Sequence, residues 1–164
     1  MHSFTQNLSD KDLRKTLRIH YYGYKYTLIT PVLGALVTLF FLVRLALDPQ
    51  SFEPVVLLVL VAGVFFMLRP RLYISRIFAN IKSQKLTGQP LNVQLDDDEK
   101  IVSTAGDSQS VISLKELHRY AETSDFLFLY VTKNNFLALD KREMPSAMLQ
   151  KVKSIIEKYR IRKR

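Results

Sequence analysis

Residues 26–68 read YTLITPVLGALVTLFFLVRLAL-DPQSFE-PVVLLVLVAGVFFML: two apolar runs, Tyr26–Leu47 and Pro54–Leu68, around the six-residue acidic loop Asp48–Glu53. A helix needs about 20 mostly apolar residues to cross the hydrocarbon core of a bilayer. The first run has that length with one charge, Arg44. The second is shorter and gains length if Phe52 precedes it and Leu72–Ile74 follow, with Arg69 and Arg71 reaching back to the head groups. The pattern therefore predicts a transmembrane helical hairpin, with spans at about 26–47 and 54–69.

The flanks orient it. Lys11, Arg14, Lys15, Arg18 and Lys25 precede the first run, Arg69, Arg71, Arg76, Lys82 and Lys85 follow the second, and the loop carries only Asp48 and Glu53. Basic residues close to a span stay on the cytoplasmic side, which predicts a multi-pass protein with both termini cytoplasmic. Tyr21, Tyr22, Tyr24 and Tyr26 cluster where head-group depth is expected. The first run is read as a retained span rather than a signal peptide, because its leader is long, no small-x-small site follows and a second run comes directly after.

The net charge of +9 is unevenly spread: +3 over residues 1–26, +5 over 69–85, +6 over 151–164 and −4 over 86–150. Positive charge beside the spans and in the tail points to anionic lipid, at about 1 kcal/mol per residue near the surface, and away from nucleic acid. The absence of cysteine excludes disulfides, thiolate metal sites and a cysteine nucleophile.

Residues 1–25 read as an amphipathic cytoplasmic helix capped by Ser9, with Leu13, Leu17, Tyr21 and Tyr24 on one face. Residues 70–87 read as a juxtamembrane helix, kinked at Pro70, and a linker broken at Gly88 and Pro90. From residue 88 the pattern becomes β-rich. Strands are expected at Leu91–Leu95, Lys100–Thr104, Ser110–Leu114, His118–Glu122, Phe126–Thr132 and Phe136–Asp140, the last two joined around Asn134–Asn135, where Asn tolerates a left-handed turn. Pro145 opens a closing helix whose stripe is Met148, Leu149, Val152, Ile155, Ile156 and Tyr159. The strand FLFLYVT is apolar on both faces, so the sheet curving onto itself, a juxtamembrane helix or a partner must cover the second. The fold class is an α+β membrane protein: a two-helix hairpin, then a small antiparallel sheet capped by a C-terminal helix.

The run VISLKELHRYAETSDFLFLYVTKNNFLALDKREM, from Val111, with the helix after it to Tyr159, resembles the bacterial YcxB-like family, as does the order of amphipathic start, hairpin and β-rich domain. Leu114 stands where that family usually has an aromatic residue. The resemblance implies a pleckstrin-homology-like domain at residues 88–164 on the bacterial cytoplasmic (inner) membrane, with no catalytic residue to carry over.

The remaining candidates are weighed by chemistry. Asp96–Glu99 lacks the glycine and spacing of a calcium loop and reads as a solvated turn. His2, His20 and His118 have no metal-ligand spacing, and no nucleophile elbow or phosphate-binding glycine loop is present. No catalytic, cofactor or metal residue is therefore assigned. Arg44 is the intramembrane charge, near the outer end and four residues before Asp48. Arg69, Arg71, Arg160, Arg162, Lys163 and Arg164 are the anionic-lipid contacts; for the tail alone, a frayed, solvated helix end is the favoured reading. Gly34 with Thr38, and Ala62 with Gly63, suit packing of the two spans and leave a homo-oligomer open. The sequence points to a non-enzymatic membrane protein that meets the bilayer and an unknown protein partner. A subunit of an oligomeric channel or transporter, and a membrane-anchored enzyme with a fold-assembled site, are the alternatives.

Overall fold

A computed structural model describes residues 2–23, 25–51, 53–83 and 89–163. The chain forms two units, Met1–Thr16 with Lys82–Arg164, and Leu17–Ile81. In chain order the elements are β1 (His2–Gln6), α1 (Asp10–Tyr22), α2 (Lys25–Leu47), α3 (Pro54–Ser83), β2 (Leu91–Leu95), β3 (Lys100–Ala105), β4 (Ser108–Ser113), β5 (Arg119–Glu122), β6 (Phe126–Tyr130), β7 (Phe136–Asp140) and α4 (Ser146–Lys158).

The first unit is an α+β domain of two antiparallel sheets, ordered β1-β2-β3-β4 and β5-β6-β7. The strands expected from alternation form within one or two residues of their expected ends. Two features depart from the sequence reading. Residues 2–6 are not the start of a helix: they pair along their whole length with β2, from His2 opposite Leu95 to Gln6 opposite Leu91. Their His2/Phe4/Gln6 alternation turns one face inward, and the helix begins only at Asp10. The domain consequently does not start at residue 88. Its first strand comes before the hairpin in sequence and its second after it.

Between β6 and β7, neither Asn134 nor Asn135 takes a positive φ; among the described residues only Glu99, Arg160 and Gly106 do. The reversal is held instead by Thr132, whose Oγ1 accepts the amides of Asn134 and Asn135 at 3.3 and 3.1 Å. A threonine hydroxyl that satisfies two loop amides makes the left-handed turn unnecessary.

The core lies between the two sheets and α4. Val93, Leu95 and Ile101 from one sheet meet Leu127, Leu129 and Leu139 from the other, and α4 contributes Met148, Val152, Ile155 and Ile156. These helix positions recur at three- and four-residue intervals, which gives one apolar stripe. The alternate residues of β6, Phe126, Phe128 and Tyr130, face away from the leucines and are also fully buried. Two cations lie over the Phe126 ring, Lys15 Nζ at 5.8 Å and Arg142 Cζ at 5.7 Å from the ring centre, and Arg119 Cζ lies 4.7 Å from that of Tyr130. The sheet thus folds against a second sheet on its leucine side, while Lys15 of α1 reaches the first ring of its aromatic side.

In the second unit, α2 has 23 residues and α3 has 30, or about 35 and 45 Å of helix at 1.5 Å per residue. Both are long and apolar enough to cross a membrane. Their large apolar side chains, from Leu28 to Leu47 and from Val55 to Leu68, are overwhelmingly exposed, the reverse of a soluble core helix. α3 runs unbroken through Pro70. A glycine crossing joins the two helices: a Cβ on Gly34 would sit 2.7 Å from Gly63 O, and one on Gly63 would sit 2.3 Å from Thr38 Oγ1.

Candidate membrane and lipid interface

The hairpin surface is where the chemistry is least ambiguous. Beside the glycine crossing opens an apolar crevice of about 360 Å³, lined by Thr30, Leu33, Gly34, Val37, Gly63 and Phe66 among others. Arg44 lies outside it, exposed in the last turn of α2, where a cation meets the negative end of the helix dipole. Among the described ion pairs none joins Arg44 to Asp48, whose Oδ1 accepts the Gln50 amide at 3.1 Å.

Below the apolar run, Arg69 and Arg71 are exposed on α3. Tyr21 packs against Tyr73 with ring centres 5.2 Å apart, and against Tyr22 at 5.3 Å. Burial raises the Tyr21 hydroxyl above its ordinary pKa, and the Arg69 charge partly opposes that shift. Aromatic rings beside arginines at the end of an apolar run form the pattern of a membrane–water boundary. Tyr24, Phe52, Lys85, Gly88 and Arg164 lie outside the described residues, as do the side chains of Lys25 and Tyr26.

The tail is not a frayed helix end. Tyr120 donates its amide to Arg162 O at 3.0 Å, and Lys163 forms a parallel bridge with Tyr120. Ile161 packs on the core. Backbone pairing to β5 holds this stretch while Arg160, Arg162 and Lys163 keep exposed side chains. Arginine–isoleucine alternation in YRIRK is the sequence signal for that pairing, and the preference of basic residues for a helix C-terminus masks it.

Seven acidic residues of the domain are held by cations. Glu122 pairs with Lys141 at 2.7 Å and Lys153 at 2.8 Å. Glu99 takes Lys158 and the Tyr159 hydroxyl at 2.6 and 2.7 Å. Asp125 pairs with Lys15, and Arg142 pairs with both Asp140 and Asp12. Ser9 caps α1, its Oγ accepting the Asp12 amide at 3.1 Å. Asp97 and Asp98 of the acidic turn pair with Lys151 and Lys100, and no group of acids and histidines among the described residues is arranged to hold a metal.

These partners lower four carboxyls below the usual carboxylate range: Asp12 chiefly through Ser9, Glu99 through Lys158, Glu122 through Lys141 and Asp125 through Lys15. A carboxyl whose pKa is lower in the folded than in the unfolded chain stabilises the fold above its unfolded value, and that stability is lost as pH falls through the folded value. Melting of the full chain in micelles should therefore be alike at pH 7 and pH 6 and fall clearly by pH 3. An unchanged midpoint at pH 3 would remove these pairs from the stability of the domain.

The fold and surface define a class: an antiparallel α+β domain whose sequence is interrupted after its first strand by a hairpin of two exposed apolar helices. Residues 97–156 match the family model described as YcxB-like protein. The matched segment, similar to that family, runs from the acidic turn through β3–β7 into α4; β1, the hairpin and β2 lie outside the match. Comparison with curated proteins and with solved structures gave no match.

Proposed function

We propose that this chain is an integral protein of the bacterial cytoplasmic membrane, both termini cytoplasmic, that displays a pleckstrin-homology-like domain as a non-enzymatic scaffolding or regulatory module. The observation that carries this reading is the exposed apolar hairpin inserted between β1 and β2. Such an insertion ties the domain to the membrane at two points of one sheet. Among the described residues, seven strands in a four-plus-three arrangement, closed by a C-terminal helix, support the pleckstrin-homology-like reading.

The domain's role is binding a protein partner or lipid head group. Arg160, Arg162 and Lys163, with Arg164 and the hairpin's Arg69 and Arg71, supply the anionic-lipid contact. The glycine-closed helix crossing and the position of Arg44 outside the crevice favour an anchor over a channel.

The cysteine-free chain permits a direct test of topology. Single cysteines at Ser3, Gln50 and Ser154 are probed with an impermeant thiol reagent on intact cells and inverted vesicles. Gln50→Cys should label only from outside, and the other two only from the cytoplasmic side. Labelling of Gln50→Cys and Ser154→Cys from one side would overturn the spanning hairpin.

A further inference from the structure

The apolar crevice beside the glycine crossing continues along α3 into a cluster of cations and tyrosines. Val59, Ala62 and Phe66 line the crevice, and Arg69, Tyr73 and Arg76 follow at the same alternation of three and four residues. That spacing keeps all six on one face of a helix, and α3 is helical throughout Pro54–Ser83. Arg71, two residues from Arg69, lies off this stripe. At its polar end Tyr73 meets Tyr21 of α1, with ring centres 5.2 Å apart, and Arg69 is close enough for its charge to act on the Tyr21 hydroxyl. The rings of Tyr22 and Tyr73 are both exposed there.

Charge and length say what the stripe accommodates. Residues 17–47 and 54–81 hold no acidic residue, and none of the described ion pairs uses Arg69, Arg71 or Arg76. The cations of the sheet domain differ: Lys15, Lys141, Lys153 and Arg142 all answer carboxylates. From Val59 to Arg69 the helix rises about 15 Å, half of a hydrocarbon core about 30 Å thick. The result is an apolar slot one leaflet deep, with a guanidinium and phenols at its mouth. A guanidinium matches two oxygens of a phosphate, and phenol hydroxyls donate to the others.

We infer that the hairpin holds one anionic phospholipid of the cytoplasmic leaflet, with an acyl chain in the crevice and the head-group phosphate on Arg69, Tyr73 and Tyr21. This site rests on the spanning hairpin proposed above and narrows its lipid contact to one face of α3. Arg76, farther along the stripe, attracts the anionic part of the head group. Arg71 contributes only the general pull of a basic flank on an anionic leaflet.

Lipid retention by the full chain tests the site. The protein in neutral detergent is titrated with palmitoyl-oleoyl phosphatidylglycerol, and bound lipids are counted by native mass spectrometry. One molecule per chain should be retained at concentrations that leave further sites empty. Arg69→Gln should weaken its binding about ten-fold, the worth of one hydrogen bond to a charged group. Arg71→Gln makes the same change in charge and should cost several-fold less. Both arginines are exposed, so neutralising either leaves the packing intact. Tyr73→Phe and Ala62→Phe, which fills the crevice, should each weaken binding several-fold. Neither the diacylglycerol with the same chains nor glycerophosphoglycerol without chains should displace the lipid. Equal losses for Arg69→Gln and Arg71→Gln, or undiminished binding to Ala62→Phe, would overturn the site. Displacement by glycerophosphoglycerol would overturn it too, by making the ligand a free phosphate ester. Labelling of Gln50→Cys separates the two failures. Equal arginine losses with labelling only from outside remove the lipid site alone, whereas labelling from the cytoplasmic side removes the spanning hairpin and the site together.

Discussion

Removing His2–Gln6 should unfold the sheet domain while leaving the hairpin able to insert. β1 contributes a full ladder to β2, and its Phe4 packs on the core. Its deletion exposes the β2 edge and strips cover from Val93 and Leu95, both fully buried. Gln6, also fully buried, takes two hydrogen bonds with it and leaves Ala138 O and the Asp140 amide without partners. Each such orphaned buried group costs about 1–3 kcal/mol, against a total stability of about 5–15 kcal/mol for a typical domain. The single change Gln6→Leu isolates that cost: it keeps an apolar stem but satisfies neither group, so about 2–4 kcal/mol of destabilisation is expected. Limited proteolysis of the full chain in micelles provides the reading. The native protein should yield a resistant sheet-domain fragment, Gln6→Leu a less persistent one, and the truncation none. A resistant fragment of unchanged yield from the truncated chain would mean that β1 is dispensable.

That expectation also marks where sequence reasoning stops. The hairpin was legible because apolar length is itself the physical requirement for crossing a bilayer. β2–β7 and α4 were legible because alternation and the Met148-to-Ile156 stripe are local signals. β1 was not. Its partner Leu91–Leu95 lies beyond the whole hairpin, and HSFTQ offers one large apolar residue and a glutamine that is buried only because β7 presents a carbonyl and an amide to it. The cover over FLFLYVT was half legible: the need for it follows from alternation, but Lys15 and Arg142 over Phe126 are cations doing what a sequence reader assigns to apolar residues. The arginines of the tail were legible as charge, while its pairing to β5 was hidden by the helix that precedes it. Among the candidate lipid contacts, Arg69 and Arg71 stand at the end of the apolar run of α3 and Arg160, Arg162 and Lys163 project from the β5 edge; they belong to separate units, and proximity in sequence gave no means of relating them.

Closing the glycine crossing should be the most damaging change within the hairpin, and Gly34 and Gly63 should differ in a way their chemistry predicts. A Cβ at Gly34 meets backbone and backbone-proximal atoms: Gly63 O at 2.7 Å, Phe66 Cβ at 2.9 Å and the Met67 amide at 3.1 Å. None can rotate away, so Gly34→Ala forces the helices apart. A Cβ at Gly63 meets Thr38 Oγ1 at 2.3 Å and Gly34 O at 3.1 Å. The worse of those two neighbours is a hydroxyl that bonds Gly34 O at 2.8 Å and can move if that bond is given up. Overpacking of this kind costs about 1–3 kcal/mol, and a transmembrane pair has no hydrophobic driving force to offset a lost close approach. Gly34→Ala should therefore lie toward the top of that range and Gly63→Ala toward the bottom. The double variant Gly63→Ala with Thr38→Ala should recover part of the loss, because it removes the obstructing hydroxyl; Gly34→Ala with Thr38→Ala should recover none. Reversible unfolding in mixed micelles, followed by proximity labels on α2 and α3, measures all four. Equal losses for the two alanines, with no recovery on removing Thr38, would mean that the helices do not meet at this crossing in the membrane.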